Sequence, residues 1–260
     1  MLSGRRTRVE HDHGSGEKSG GGRSGPGLVV AVDGPGGSGK STAAKAIARR
    51  LGLRYLDTGA MYRAVTQLAL EQRIDIEDAA AVAELAERAV LTSGTDPDGP
   101  TISVNQVRVD AEIRTRAVTN AVSAVSAVAV VRSRLVSQQQ QIITDAVDTA
   151  GGIVVEGRDI GSVVAPDAPV KVFLTASTEV RALRRSRELG EKGVDDVART
   201  LAELGRRDEL DSTRKVDPLQ AAPDAIVVDS SGMSVDEVVE EVLRHIAAAG
   251  FAAAIPGSAP

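Results

Sequence analysis

Short apolar, β-branched runs alternate along this chain with stretches whose apolar positions recur every three or four residues. The runs fall at 28–33, 54–57, 153–156, 170–174 and 225–229. Such compact runs are those of strands covered on both faces of a parallel sheet. Helical periodicity follows them over 41–51, 59–72, 178–189 and 234–248. The last of these opens with Ser234 and has Glu237 three residues on, the spacing of a capping box. A longer helical stretch is predicted from about Ala111 to Val147. One segment departs from the alternation: the turn cluster 95–100 leads into the alternating Thr101 to Val109, which reads as a small antiparallel β insert. The pattern predicts an α/β fold with a subdomain near residues 85–123 inserted into a core spanning 28–250.

The ends are different. Residues 1–27 hold 8 of the 26 glycines, with charges and no apolar period, so they cannot bury enough surface to offset the entropy of ordering. They read as a disordered tail. Residues 251–260 are uncharged, end in Pro and Gly, and read as a frayed one.

Composition narrows the chemistry. The 260 residues are 42% hydrophobic, enough for one sizeable core. The 31 Lys and Arg are outnumbered by 36 Asp and Glu, which argues against a nucleic-acid partner, so any anionic ligand must be met locally. No cysteine is present and the histidines are His11, His13 and His245 alone, which removes thiol, disulfide, zinc and iron–sulfur chemistry and leaves histidine catalysis almost nothing to work with. No run has the roughly 18 apolar residues of a membrane span, and the head lacks the apolar stretch of a secretory signal. A soluble cytoplasmic protein without membrane contact is expected.

The sharpest signal is Gly34-Pro35-Gly36-Gly37-Ser38-Gly39-Lys40-Ser41, followed by Thr42. It satisfies G-x-x-x-x-G-K-[ST] between a predicted strand and a predicted helix, the context that a nucleotide phosphate loop requires. Its backbone N–H groups and the helix N-terminus face an anion, Lys40 supplies a point charge between β- and γ-phosphate, and the Ser41 hydroxyl can ligate Mg²⁺. A guanine-reading [NT]-K-x-D is absent; the nearest match, Arg214-Lys215-Val216-Asp217, has the wrong first residue. A small ATP-dependent phosphotransferase fits better than a switch or a motor.

A second anion pocket is predicted where Asp57-Thr58-Gly59 ends one strand and begins a helix. Glu156-Gly157-Arg158-Asp159 then leaves the third strand at the same sheet edge, where ligands of open α/β sheets bind. The stretch from Arg181 to Arg214 is rich in arginine interleaved with acids. In isolation that is an ordinary solvated helix face; beside a phosphate loop it can supply the guanidiniums of phosphoryl transfer.

Taken together, Asp33 to Ser41, Asp57 to Arg63, Thr119 to Ser123, Glu156 to Asp159 and Arg207-Asp208-x-x-Asp211-x-x-Arg214 resemble the bacterial-type cytidylate kinases, over about residues 28–248. The resemblance implies the nucleoside-monophosphate kinase fold: a phosphate-loop core with a five-stranded parallel sheet flanked by helices, a lid near 181–214 and a monophosphate-binding insert. It implies transfer of a phosphoryl group from ATP to CMP or dCMP with Mg²⁺. By the same resemblance Arg63, Arg158 and Arg214 meet the CMP phosphate, with Thr58 beside them, and Arg207 and Asp211 meet the ribose. Ser123, Arg132 and Asp159 read cytosine, and Arg184 and Arg185 belong to the lid over the ATP phosphates. Lys40, Arg158, Arg184, Arg185 and Arg214 become the expected catalytic cations. The metal falls to Ser41 with Asp33 or Glu156 through water, Glu156 standing where the family more often has Asp. Lid and insert are expected to move, closing over both substrates to exclude water, and a monomer is expected. The alternatives are a phosphate-loop kinase for another acceptor and a nucleotide-dependent switch without acceptor-stimulated ADP release.

A chain beginning at Gly27 is expected to keep full activity in an ATP-coupled assay. A loss greater than about threefold, roughly 0.65 kcal/mol, would assign the head a function.

Overall fold

A computed structural model describes residues 27–190 and 193–257. The predicted disordered tail therefore lies, but for Gly27, outside the described residues. Five strands form one parallel sheet: β1 (Leu28–Asp33), β2 (Arg54–Asp57), β6 (Gly152–Gly157), β7 (Val170–Thr175) and β8 (Ile226–Asp229), in the order β2-β6-β1-β7-β8. In the register, Asp33 lies opposite Gly157 and Asp57 opposite Glu156, so three strands end side by side at one edge. Strands β3 (Leu91–Ser93), β4 (Ile102–Val104) and β5 (Val107–Arg108) form the separate antiparallel sheet that the alternation at 101–109 predicts.

The sheet is apolar on both faces because each face has its own helical cover. Ala31, Leu56, Ile153 and Val155 face one core, where Met61 and Val65 of α2 (Thr58–Glu71) and Leu135 of α5 (Ala129–Ala150) are buried, together with Leu91, Ile102 and Val104 of the insert. Val30, Val32, Tyr55, Val154 and Val172 face the other, closed by Ala44, Ile47 and Ala48 of α1 (Lys40–Leu51) and Val242 and Ile246 of α8 (Val235–Ile246). The Ser234 capping box opens α8 as expected. The lid region is two helices, α6 (Thr178–Glu188) and α7 (Val194–Ser212), packed on each other.

Two expectations are corrected. The helix predicted over 111–147 is interrupted. A 3-10 turn at Glu112–Arg114 precedes α4 (Arg116–Ala127), and Val128, extended at φ −72° and ψ 117°, separates it from α5. Periodicity runs through the break, but packing does not: α4 lies on α2, whereas α5 lies against β6 and α3 (Ala79–Arg88). The expectation of fraying also fails at residues 251–255. Residues 252–254 form a 3-10 turn, and Phe251, Ala254 and Ile255 pack partly buried against the second core.

The insert is tied to the core at its turn. The Tyr55 N–H on edge strand β2 donates to the Thr95 carbonyl at 2.9 Å, and Arg49 of α1 donates to Asp98 at 2.6 Å and to the Pro97 carbonyl at 2.9 Å.

Gly152 has φ +151°, and a Cβ there would meet the Leu28 carbonyl oxygen at 2.1 Å, inside the sheet backbone. Gly152→Ala is expected to lower stability by about 1–3 kcal/mol. Gly205→Ala, in exposed helix α7 with open space at its Cβ, should instead raise it by about 0.5–1 kcal/mol. Urea melts of the two variants check both signs.

Candidate active site

The phosphate loop follows β1, and α1 begins at Lys40. Gly34 must be glycine: its φ is +149° and a Cβ would meet the Leu174 carbonyl oxygen at 2.0 Å. The loop's carbonyls are held by long cationic side chains from elsewhere. Lys40 Nζ donates to the Pro35 carbonyl at 3.1 Å, Arg158 to that of Gly34 at 2.7 Å, and Arg181 of α6 to that of Gly36 at 3.2 Å. Arg184 donates to the Ser38 carbonyl at 3.3 Å and to the Ser230 carbonyl at 2.7 Å.

A cavity of about 270 Å³ opens beside the loop, lined by nine basic and five acidic side chains. Burial and the crowding of like charges weaken the hold of the basic groups on their protons. Burial, then the neighbouring Arg158, pushes the Lys40 ammonium down to about 7. Burial first, then repulsion from Arg158 and Arg63, pulls Arg207 down to about 9. Burial lowers Arg63 to about 10, with Arg185 and Arg158 acting in the same direction and Asp57 opposing them. An anion placed among these groups favours their charged forms, and polyphosphate is such an anion.

The metal candidates separate clearly. Both carboxylate oxygens of Asp33 accept from backbone, Ile160 N–H and Gly161 N–H at 2.8 Å each, and Asp33 does not line the cavity. It secures the turn after β6, and burial raises its pKa to about 6. Glu156 faces Ser41 instead: the hydroxyl donates to Oε2 at 2.8 Å, and the phenol of Tyr55 donates to Oε1. Thr58 donates to the Glu156 carbonyl at 2.8 Å, joining the second anion pocket to the same strand end.

The remaining candidates converge in two groups. In the first, Arg158 donates to Asp211 at 3.1 Å and Arg207 lies 3.7 Å from the same carboxylate. Burial works to raise the Asp211 pKa, but Arg158 and Arg207 outweigh it and hold the group below the usual carboxylate range. Arg63 donates to Thr119 at 3.1 Å, and Arg185 reaches the same hydroxyl at 3.5 Å. In the second, Arg132 donates to Asp159 and to Asp217 at 2.7 Å and lies 5.6 Å from the centre of the Tyr62 ring. Arg214 closes this end by donating to the Val216 carbonyl at 2.8 Å.

Like Asp33, Ser123 and Arg184 stand apart from the cavity lining. Ser123 lines a neighbouring cavity between α4 and α7 and donates to Asp211 at 3.1 Å. Arg184 braces the loop from behind. In the sequence Arg181 is one of an arginine run and Tyr55 has no sign of a part in the site, yet Arg181 bonds the phosphate loop and Tyr55 bonds Glu156. Arg181 carried a usable signal, since its spacing puts it one helical turn before Arg184 and Arg185.

The cytidylate kinase family model matches residues 30–248. A cytidylate kinase of Streptomyces avermitilis is 51% identical over 229 residues, covering 88% of this chain and 96% of that protein. One from Nocardia farcinica is 52% identical over 221 residues, covering 85% and 94%, and one from Mycobacterium avium 51% identical over 216 residues, covering 83% and 93%.

Lys40→Ala removes a buried, mutually repelled charge and no apolar packing. It is expected to cost at least about a hundredfold in turnover while the melting temperature stays equal to the parent's or rises. Near-normal turnover in a folded variant would contradict the role of Lys40.

Proposed function

The chain belongs to the cytidylate kinase family, and from that premise we propose that it moves the γ-phosphate of ATP to CMP or dCMP, giving ADP and CDP or dCDP. The observation that carries this reading is one cavity with a phosphate loop at one end and the Arg132–Asp159 pair at the other.

No general base is needed. The acceptor is already a phosphate oxygen anion; its bond to the γ-phosphorus forms as the bond to the β-bridging oxygen breaks, and the pair of electrons leaves on ADP. Lys40 and the loop N–H groups hold the β- and γ-phosphates. Arg63, Arg158 and Arg214, with Thr58, hold the CMP phosphate in line. Arg185, on the lid and facing the cavity, meets charge developing between the two phosphates, while Arg184 and Arg181 keep the loop in shape. Leu204 of α7 lines the cavity, so the lid also brings an apolar group that excludes water from the γ-phosphate.

The Ser41 hydroxyl and Glu156 carboxylate fit Mg²⁺: both are hard oxygen donors, and this ion is commonly held by few protein oxygens together with substrate phosphates and water. When bound there it neutralises charge between β- and γ-phosphate. Asp33, which does not line the cavity and gives both oxygens to backbone donors, is the weaker of the two acidic candidates.

Asp211 meets the ribose hydroxyls with Arg207, and Ser123 acts both on the base and through its bond to Asp211. The lid comprises α6 and α7, and the insert spans about 85–123. A monomer acting in the cytoplasm completes this reading.

Base choice follows from hydrogen-bond polarity. Cytosine offers an N4 donor beside N3 and O2 acceptors, whereas uracil offers O4 as acceptor and N3–H as donor. Asp159 can only accept when ionised and Arg132 can only donate, so UMP makes both contacts repulsive, each unpaired buried group costing about 1–3 kcal/mol. CMP and dCMP are therefore preferred. In a coupled assay, Asp159→Asn is expected to narrow the ratio of CMP to UMP efficiency, chiefly by losing CMP. If neither Asp159→Asn nor Arg132→Ala changes the ratio, cytosine is read elsewhere.

A further inference from the structure

Tyr55 is 1% exposed and does not line the cavity, yet its phenol donates to Oε1 of Glu156, the carboxylate whose Oε2 accepts from Ser41. We propose that Tyr55 is a positioning residue for phosphoryl transfer, its phenol fixing one oxygen of Glu156 so that the other stays beside Ser41. The inference rests on the reading of Glu156 as the carboxylate that serves Mg²⁺.

The need for such a residue follows from side-chain length. Glutamate has one more rotatable bond than aspartate, and its terminal torsion is broad. A carboxylate at the edge of a solvent-sized cavity can turn unless both oxygens are held. Ser41 holds one from the cavity side; Tyr55 holds the other from the core side. Tyr55 is well placed to do so, because it is fixed at both ends. Its ring is packed in the core beneath α1, and its backbone N–H is bound by Thr95 in the insert turn that Arg49 ties to the core. A buried phenol needs a hydrogen-bond partner in any case, so the test must separate orientation from stability.

Tyr55→Phe keeps the ring and removes the donor. Three results are expected. The variant loses at least about tenfold in kcat with KM for CMP within about twofold, the split of a group acting on the reaction rather than on acceptor binding. Calorimetric titration finds metal-free ATP bound as in the parent, but the gain in ATP affinity on adding Mg²⁺ reduced. In a Glu156→Gln background, adding Tyr55→Phe costs no further kcat, because the phenol acts through the carboxylate; Glu156→Asp, which draws the carboxylate back from the phenol, is a second such background. A Tyr55→Phe that lowers only the melting temperature, or whose kcat loss persists undiminished in both backgrounds, overturns the proposal. If Glu156→Gln alone keeps the parental kcat and Mg²⁺ response, the reading of Glu156 falls and this inference with it. If Glu156→Gln is impaired and Tyr55→Phe is not, only the role of Tyr55 falls.

Discussion

The burial of several cations beside one another is the constraint on which this molecule depends. Lys40, Arg63 and Arg207 are each depressed in pKa by burial and by arginine neighbours, an arrangement that costs stability in a protein without anions. The fold tolerates it because the cations are anchored. The carbonyls of Gly34, Pro35 and Gly36 accept from Arg158, Lys40 and Arg181, and Asp211 takes Arg158 directly with Arg207 nearby. The outcome is a set of cationic side chains held in fixed places around one cavity by the protein's own acceptors.

The parallel sheet is what makes the anchoring possible. Central strand β1 delivers the phosphate loop, its neighbour β6 delivers Glu156 and Arg158, and edge strand β2 delivers Thr58 with α2 behind it. Asp33, at the end of β1, uses both oxygens to hold the turn after β6, which fixes the path that carries Arg158 and Asp159 into the cavity. The insert and the lid are then attached differently. The insert turn is bonded to α1 and β2, whereas α6 is bonded to the phosphate loop through Arg181 and Arg184, and α7 meets Arg158 through Asp211 and α4 through Glu203 and Arg116 at 3.3 Å.

Much of this was legible in the chain because it is local. The phosphate loop, the five strands and the Ser234 cap are each written within a few residues, and the alternation at 101–109 was sufficient to find the second sheet. What escaped was set by distance. The break at Val128 follows from where α4 and α5 pack, not from any change in period. Whether Asp33 or Glu156 stands by Ser41 depends on contacts spanning 115 and 127 residues of sequence, as does the bond from Tyr55 to Glu156 across 101. Arg181, Arg184 and Arg185 look alike in sequence; only the packing of α6 against the loop sends two of them to backbone carbonyls and leaves the third facing the cavity.

The central claim is that the positive cavity exists for substrate phosphates and draws its affinity from them. Calorimetric titration of cytidine and of CMP into the full chain, each at low and high salt, tests it most directly. Charge-assisted contacts of about 1.5–3 kcal/mol apiece predict CMP bound at least about a hundredfold more tightly than cytidine, with the advantage shrinking as salt rises. Cytidine binding as tightly as CMP, or an advantage indifferent to salt, would contradict the account.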